Sequence, residues 1–145
     1  MGPKVHEHMT DRPRCVTPET RVSEAAELMA SEDVGSLPIL DGDKLTGVIT
    51  DRDIVIRAVA TKKDPQGMPV REIATHDPVT VRADDDLSEA LKLMAAYQVR
   101  RLPVVDDDNR LVGVLAQADV AMGAKEKAVG EMVEGISQTP TGPRM

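Results

Sequence analysis

Aromatic side chains are almost absent from this chain of 145 residues: Tyr97 stands alone, with no phenylalanine or tryptophan. That excludes a stacking platform for single-stranded nucleic acid, which needs several ring faces along a basic groove. A planar ligand would lie against aliphatic or methionine side chains instead. Cysteine is limited to Cys15, so no intramolecular disulfide and no multi-cysteine metal cage can form; this fits a reducing compartment and leaves pairing between chains open. Long apolar runs are lacking as well. Nothing approaches the roughly 20 residues that cross a bilayer, and no basic segment followed by an apolar one opens the chain, so a cytoplasmic protein without a membrane span is expected. Positive charge is in short supply, with 18 Lys and Arg against 25 Asp and Glu and a net charge of -7. Such a chain resists non-specific attraction to nucleic acid or anionic lipid, and any anionic ligand requires local cations.

What is present is ordinary globular composition, 41% hydrophobic and 30% charged, in a chain long enough for a compact core. It is also written twice. VHEHMT at Val5 to Thr10 returns as VREIAT at Val70 to Thr75, SEAAELMA returns as SEALKLMA, and VGSLPIL returns as VRRLPVV. From Val5 to Asp41, 15 of 37 positions are identical to those 65 residues on. The two copies then differ in length by one residue in a turn, and LTGVITDRDI lies over LVGVLAQADV at a shift of 66. Repetition at a fixed period is the first feature to interpret, because each unit leaves an apolar face that the other can cover.

Each copy reads as strand, helix, strand, strand, helix. In the first, Arg14 to Thr17 is a short strand candidate, and Val22, Ala25, Ala26, Leu28 and Met29 recur at helical spacing behind Thr20 as N-cap. Ser36 to Leu40 and Lys44 to Thr50 read as strands around a turn, followed by a helix over Asp51 to Ala60. The second copy repeats this from Val79 through Met122. Thr61 to Pro69, with two prolines and a glycine, is linker chemistry. The organisation expected is therefore 5-60 as the first repeat, 61-69 as linker, 70-122 as the second repeat, and 123-145 as a helical extension over Lys125 to Val133 with a mobile tail.

The segment GVITDRDI, with LPILD shortly before it and a helix opening within it, resembles the cystathionine beta-synthase (CBS) domain, here in tandem over about Val5 to Met122. TDRDIVIR and YQVRRLPVV are similar to runs in bacterial hypoxic response proteins. The resemblance implies an α/β (α+β) fold, two CBS repeats packed as a pseudo-twofold pair or Bateman module. It implies an adenosine-type ligand in a cleft between the repeats, a homodimer, and regulation of some protein effector rather than catalysis.

Carried onto this chain, the resemblance gives Thr50 and Asp53 the ribose. An ionised carboxylate offers several acceptor sites for two hydroxyls, and charge-assisted bonds are the strong ones. A plain capping motif is the structural alternative: Thr50 as N-cap, with Asp51 and Asp53 complementing the positive helix end. In the second copy Asp119 keeps the carboxylate but Ala116 replaces the hydroxyl, so unequal sites are expected, the first being the better. Arg100 and Arg101, where the first copy has Gly35 and Ser36, stand where family members place cations against phosphate, and the planar guanidinium fork suits that task. Arg52 is a third phosphate candidate. The backbone around Val34, Gly35, Ser36 and Leu37 and around Val99 to Leu102, with Pro13, Arg14, Pro78 and Val79 before the first strands, would frame the base, although apolar side chains here are equally expected in the core.

Other constellations carry less. His6, Glu7 and His8, with His76, offer metal-binding atoms, but residues two apart point different ways on a helix and no cysteine pair supports them. No metal is expected. Cys15 has no histidine at motif spacing to activate it and reads as a small buried residue. Asp84 to Asp86 and Asp106 to Asp108 read as a helix cap region and a strand turn. The function expected is non-enzymatic: an adenine nucleotide of the AMP, ADP or ATP type acting as a regulatory ligand, with no cofactor required. A ligand-free dimeric scaffold or stress protein is the alternative.

Overall fold

A computed structural model describes residues 2-120. The expected helix over Lys125 to Val133 and the C-terminal tail lie outside the described residues. The elements run β1 (Thr10–Asp11), α1 (Val22–Glu32), β2 (Ser36–Asp41), β3 (Lys44–Thr50), α2 (Asp51–Ile54), β4 (Thr75–His76), β5 (Val81–Arg82), α3 (Leu87–Tyr97), β6 (Arg101–Val105) and β7 (Leu111–Ala116). The architecture is the expected mixture of helices and sheets.

The chain divides into two compact bodies that do not follow the sequence repeats. The first holds Arg12–Pro78 and Val105–Leu111, and the second holds 2-11, 79-104 and 112-120. The opening segment of each repeat therefore joins the body built by the other. Val5 belongs to the same core as Val81, Leu87, Met94, Leu102 and Leu115. Its counterpart Val70, with Ile73 and Ala74, packs with Val22, Met29, Leu37, Ile39 and Ile49. One sheet has the order β1-β7-β6-β5 and the other β2-β3-β4.

A glycine admits each exchanged strand. β1 pairs with β7 antiparallel at Asp11 and Gly113, and β4 pairs with β3 at Gly47 and His76. A Cβ on Gly47 would lie 2.7 Å from the Thr75 carbonyl oxygen, and one on Gly113 would lie 2.9 Å from that of Thr10. A glycine inside a strand marks such close backbone approach.

The two long helices share a plan. α1 buries Val22, Ala25 and Met29, and α3 buries Leu87, Ala90 and Met94 at the same positions 65 residues on. Burying one stripe of an amphipathic helix is its main source of stability. Each ends in the left-handed region, at Asp33 (φ 55°) and Gln98 (φ 54°). The next amides, of Val34 and Val99, donate back to Met29 and Met94, both at 3.0 Å.

Three local expectations are corrected. The cap residue of α1 is Arg21 rather than Thr20, and its amide donates to Glu24 Oε1 at 3.1 Å. Thr20 is taken up in a turn, accepting the Thr17 amide at 3.0 Å. Arg14 to Thr17 forms no strand, only a parallel bridge from Val16 to Ile39, because Pro13 and Pro18 flank it without amide donors. The helix expected over Asp51 to Ala60 is α-helical only through Ile54 and widens to π geometry over Val55–Val59. The linker is tied down: Val22 and Ser23 donate to the carbonyls of Met68 and Pro65, each at 3.0 Å.

In the first body the β2-β3 turn pairs with residues 105-111. The Leu45 amide donates to the Asn109 carbonyl at 3.0 Å and the Leu111 amide to that of Asp43 at 3.2 Å. These are the same two positions in each copy, so the two turns pair by the same bond read in both directions. Arg110 adds contacts to Asp43 at 3.2 Å and Asp108 at 3.6 Å.

Candidate functional site

The strand-to-helix junction of the first body concentrates polar chemistry. β3 ends at Thr50, which has extended backbone (φ -117°, ψ 160°) and starts α2. Thr50 Oγ1 accepts from the Asp53 amide at 2.9 Å, and Asp53 Oδ2 accepts from the Thr50 amide at 3.0 Å. This is a reciprocal capping box with aspartate at the third helical position. The amide of Asp51 donates to the Gly35 carbonyl at 2.9 Å, which fixes the junction against the start of β2.

Asp53 is the buried charged residue among those described, 7% exposed. A buried carboxylate is tolerated where donors and counter-charge surround it. Two of its neighbours were not anticipated from the sequence. The Thr75 hydroxyl donates to Asp53 Oδ2 at 3.3 Å and Oδ1 at 3.4 Å. Arg57 places Nε 3.9 Å from Oδ1 and donates from Nη1 to the carbonyls of Ile73 at 3.2 Å and Ala74 at 3.3 Å. An i to i+4 pairing of Asp53 and Arg57 was a readable signal. The Thr75 contact, across 22 residues, carried none in the sequence.

The remaining candidates fall as follows. Arg52 is exposed, and its amide donates to Asp51 Oδ1 at 2.7 Å. In the second body Arg100 is exposed and Arg101 half-buried at the start of β6. The Arg100 carbonyl accepts the Gln117 amide at 2.7 Å, the counterpart of the Gly35 to Asp51 bond. Asp119 is half-buried on a helical turn, 117-120. Leu37 is a core residue, 1% exposed. Val34 and Val79 pack at the edges of the two cores, Gly35, Ser36 and Pro78 are half-buried, and Val99 is exposed.

Among the described residues no group of three or more His, Cys, Asp or Glu side chains is placed to hold a metal ion. Burial pushes the Cys15 thiol above its ordinary pKa, while its Sγ lies 3.2 Å from the Pro13 carbonyl; a thiol held protonated is a poor nucleophile. Asp85 caps the Arg82 amide at 2.8 Å and Asp106 accepts the amides of Asp108 and Arg110, both at 2.9 Å, as expected of turn aspartates.

The family model for the CBS domain matches residues 5–59 and again 70–125. The chain belongs to the CBS domain family. Curated relatives in this family include CBS domain-containing protein YhcV of Bacillus subtilis, 37% identical over 92% of this chain and 94% of the relative. Hypoxic response protein 1 of Mycobacterium tuberculosis is 39% identical over 84% of this chain and 85% of its own length. Among solved CBS structures, Hypoxic Response Protein I with two coordinated zinc ions superposes with a TM-score of 0.76 at 37% identity, over 83% of this chain and 98% of that one. CBSX2 in complex with AMP gives 0.77 at 32% identity, over 87% and 98%. The CBS domain pair of MJ0100 in complex with 5'-methylthioadenosine and S-adenosyl-L-methionine gives 0.78 at 28% identity, over 88% and 99%. The CBSX2 and MJ0100 structures each hold adenosyl ligands.

Proposed function

We propose that this chain is a non-enzymatic regulatory module that binds an adenosyl ligand of the AMP, ADP or ATP type, with the ribose held at Thr50 and Asp53. The observation that carries the reading is the buried Asp53 carboxylate at the β3-α2 junction, 7% exposed. Its capping bond to Thr50 and shared bond from Thr75 leave acceptor capacity for a pair of hydroxyls, since an ionised carboxylate offers about four lone-pair sites. The adenosyl complexes of CBSX2 and MJ0100 support the ligand class. Arg52, Arg100 and Arg101 are proposed as phosphate contacts, and Asp119 as the acceptor of a weaker second site that lacks the hydroxyl of Thr50.

Signalling is part of the proposal: a ligand shifts a conformational equilibrium by its differential affinity for two states, and a protein effector reads the shift. A homodimer is proposed, supported by the exposed apolar side chains of Val55, Ile56 and Val59. A stress-response role is supported by similarity to Hypoxic response protein 1, and a cytoplasmic location is proposed with it.

A ligand-free scaffold is the second reading, and one observation favours it. Asp53 already has partners within the chain in Thr50, Thr75 and Arg57. Thermal denaturation with AMP, ADP, ATP, S-adenosylmethionine or NAD separates the two, because a ligand at 100 times its dissociation constant adds about 2.7 kcal/mol of stability. A rise in Tm with an adenosyl ligand supports the module, and no rise with any of the five supports the scaffold.

A further inference from the structure

We propose that Arg57 is a positioning residue that holds the Asp53 carboxylate and the backbone of residues 73-76 in register, making the first repeat's junction the better ligand site. This rests on Asp53 being the ribose acceptor, as proposed above. One guanidinium nitrogen donates to two successive carbonyls, Ile73 at 3.2 Å and Ala74 at 3.3 Å. Another lies 3.9 Å from Asp53 Oδ1. The planar fork of arginine allows one side chain to serve both, which an ammonium cannot do. The segment it grips leads directly into β4, from which Thr75 reaches the same carboxylate. Helix, exchanged strand and carboxylate thus meet on one side chain.

Two further observations set Arg57 apart from an ordinary surface cation. It sits in the π-helical stretch Val55–Val59, where the Ala60 amide donates to the Val55 carbonyl five residues back at 2.8 Å. Such widened turns recur at functional sites, because they rephase the side chains that follow. The second copy also has Gly123 at the matching position and Ala116 in place of Thr50. It therefore lacks both the hydroxyl and the cation that surround Asp53. In a chain of net charge -7, a guanidinium beside the buried carboxylate also offsets the repulsion that an anionic ligand would meet there.

Arg57→Ala and Arg57→Lys test this in the full chain with two readouts. Without ligand, hydrogen exchange of residues 73-76 should accelerate several-fold in Arg57→Ala and less in Arg57→Lys, whose single ammonium can serve the carbonyls or the carboxylate but not both as the guanidinium does. Calorimetry should show the preference for AMP over 2'-deoxy-AMP falling about tenfold in Arg57→Ala, equivalent to about 1.4 kcal/mol, with part of it restored by the charge in Arg57→Lys. Unchanged exchange in both variants overturns the contact, and an undiminished ribose preference in Arg57→Ala overturns the positioning role. Loss of ribose preference in the wild type as well overturns the reading of Asp53 and the ligand half of the inference with it; the exchange measurement separates that failure from failure of the contact.

Discussion

Thr50 and Asp53 cap one another: each main-chain amide donates to the other's side chain, at 3.0 Å and 2.9 Å. The pair that would hold a ribose thus already starts a helix. Replacing Thr50 by alanine should cost about 1 kcal/mol of stability, the usual loss for an N-cap. Thr50→Ser should recover most of it. Urea denaturation monitored by circular dichroism gives both values, and a neutral Thr50→Ala would contradict the capping geometry.

Gly47→Ala should destabilise by about 1 to 3 kcal/mol, the range for forcing extra atoms into a packed site. Its Cβ would meet the Thr75 carbonyl oxygen at 2.7 Å, an atom that only a backbone movement can displace. Gly113→Ala should cost less, since the nearest atom is the flexible Met9 sulfur at 2.8 Å, although the Thr10 carbonyl follows at 2.9 Å. Chemical denaturation of the two variants decides the order. Equal stability to the wild type in both would contradict the exchange of opening strands.

Gln98 ends α3 at φ 54°, a conformation that costs a residue with a Cβ roughly 1 kcal/mol. Gln98→Gly should therefore raise Tm, with the helix stop and the Val99 to Met94 bond retained. A lower Tm would mean that the Gln98 side chain contributes more than its backbone strain removes.

Lys4 Nζ lies 2.8 Å from Asp86 Oδ1. That hydrogen bond, reinforced by charge, holds the Asp86 carboxyl below its ordinary pKa of 3.8 and raises that of Lys4. A carboxyl with a depressed folded pKa contributes stability above its unfolded value, and the contribution is lost as pH falls through the folded one. Lys4→Met should be slightly less stable than the wild type at pH 7, and the gap should close below pH 3.8. Because both groups are exposed, the effect is small and should shrink further in high salt. A gap that persists at low pH would assign it to the packing of the lysine stem.

Much of this architecture was legible in the chain because it rests on local chemistry. The spacing of Val22, Ala25 and Met29 sets the buried helix face, alternation along Lys44–Thr50 marks a strand, and Thr50 with Asp53 announces a helix start. What escaped depends on contacts between distant residues. Val5 and Val70 look like the first residues of their own repeats, yet each packs in the core of the other body. The signal was present in Gly47 and Gly113, which recur inside strands at matching positions. Thr75 beside Asp53, and the Ile73 and Ala74 carbonyls beside Arg57, follow from that exchange, since it is what brings residues 73-76 to the junction. The widening of the helix over Val55–Val59 had no sequence marker at all.

The central claim is that the two junctions are unequal and that Asp53 carries the ligand. Calorimetric titration of AMP into the wild type, Asp53→Ala and Asp119→Ala tests it most directly. The account predicts loss of at least about tenfold in affinity, some 1.4 kcal/mol, for Asp53→Ala and a much smaller change for Asp119→Ala. Equal losses in the two variants, or undiminished binding by Asp53→Ala, would contradict it.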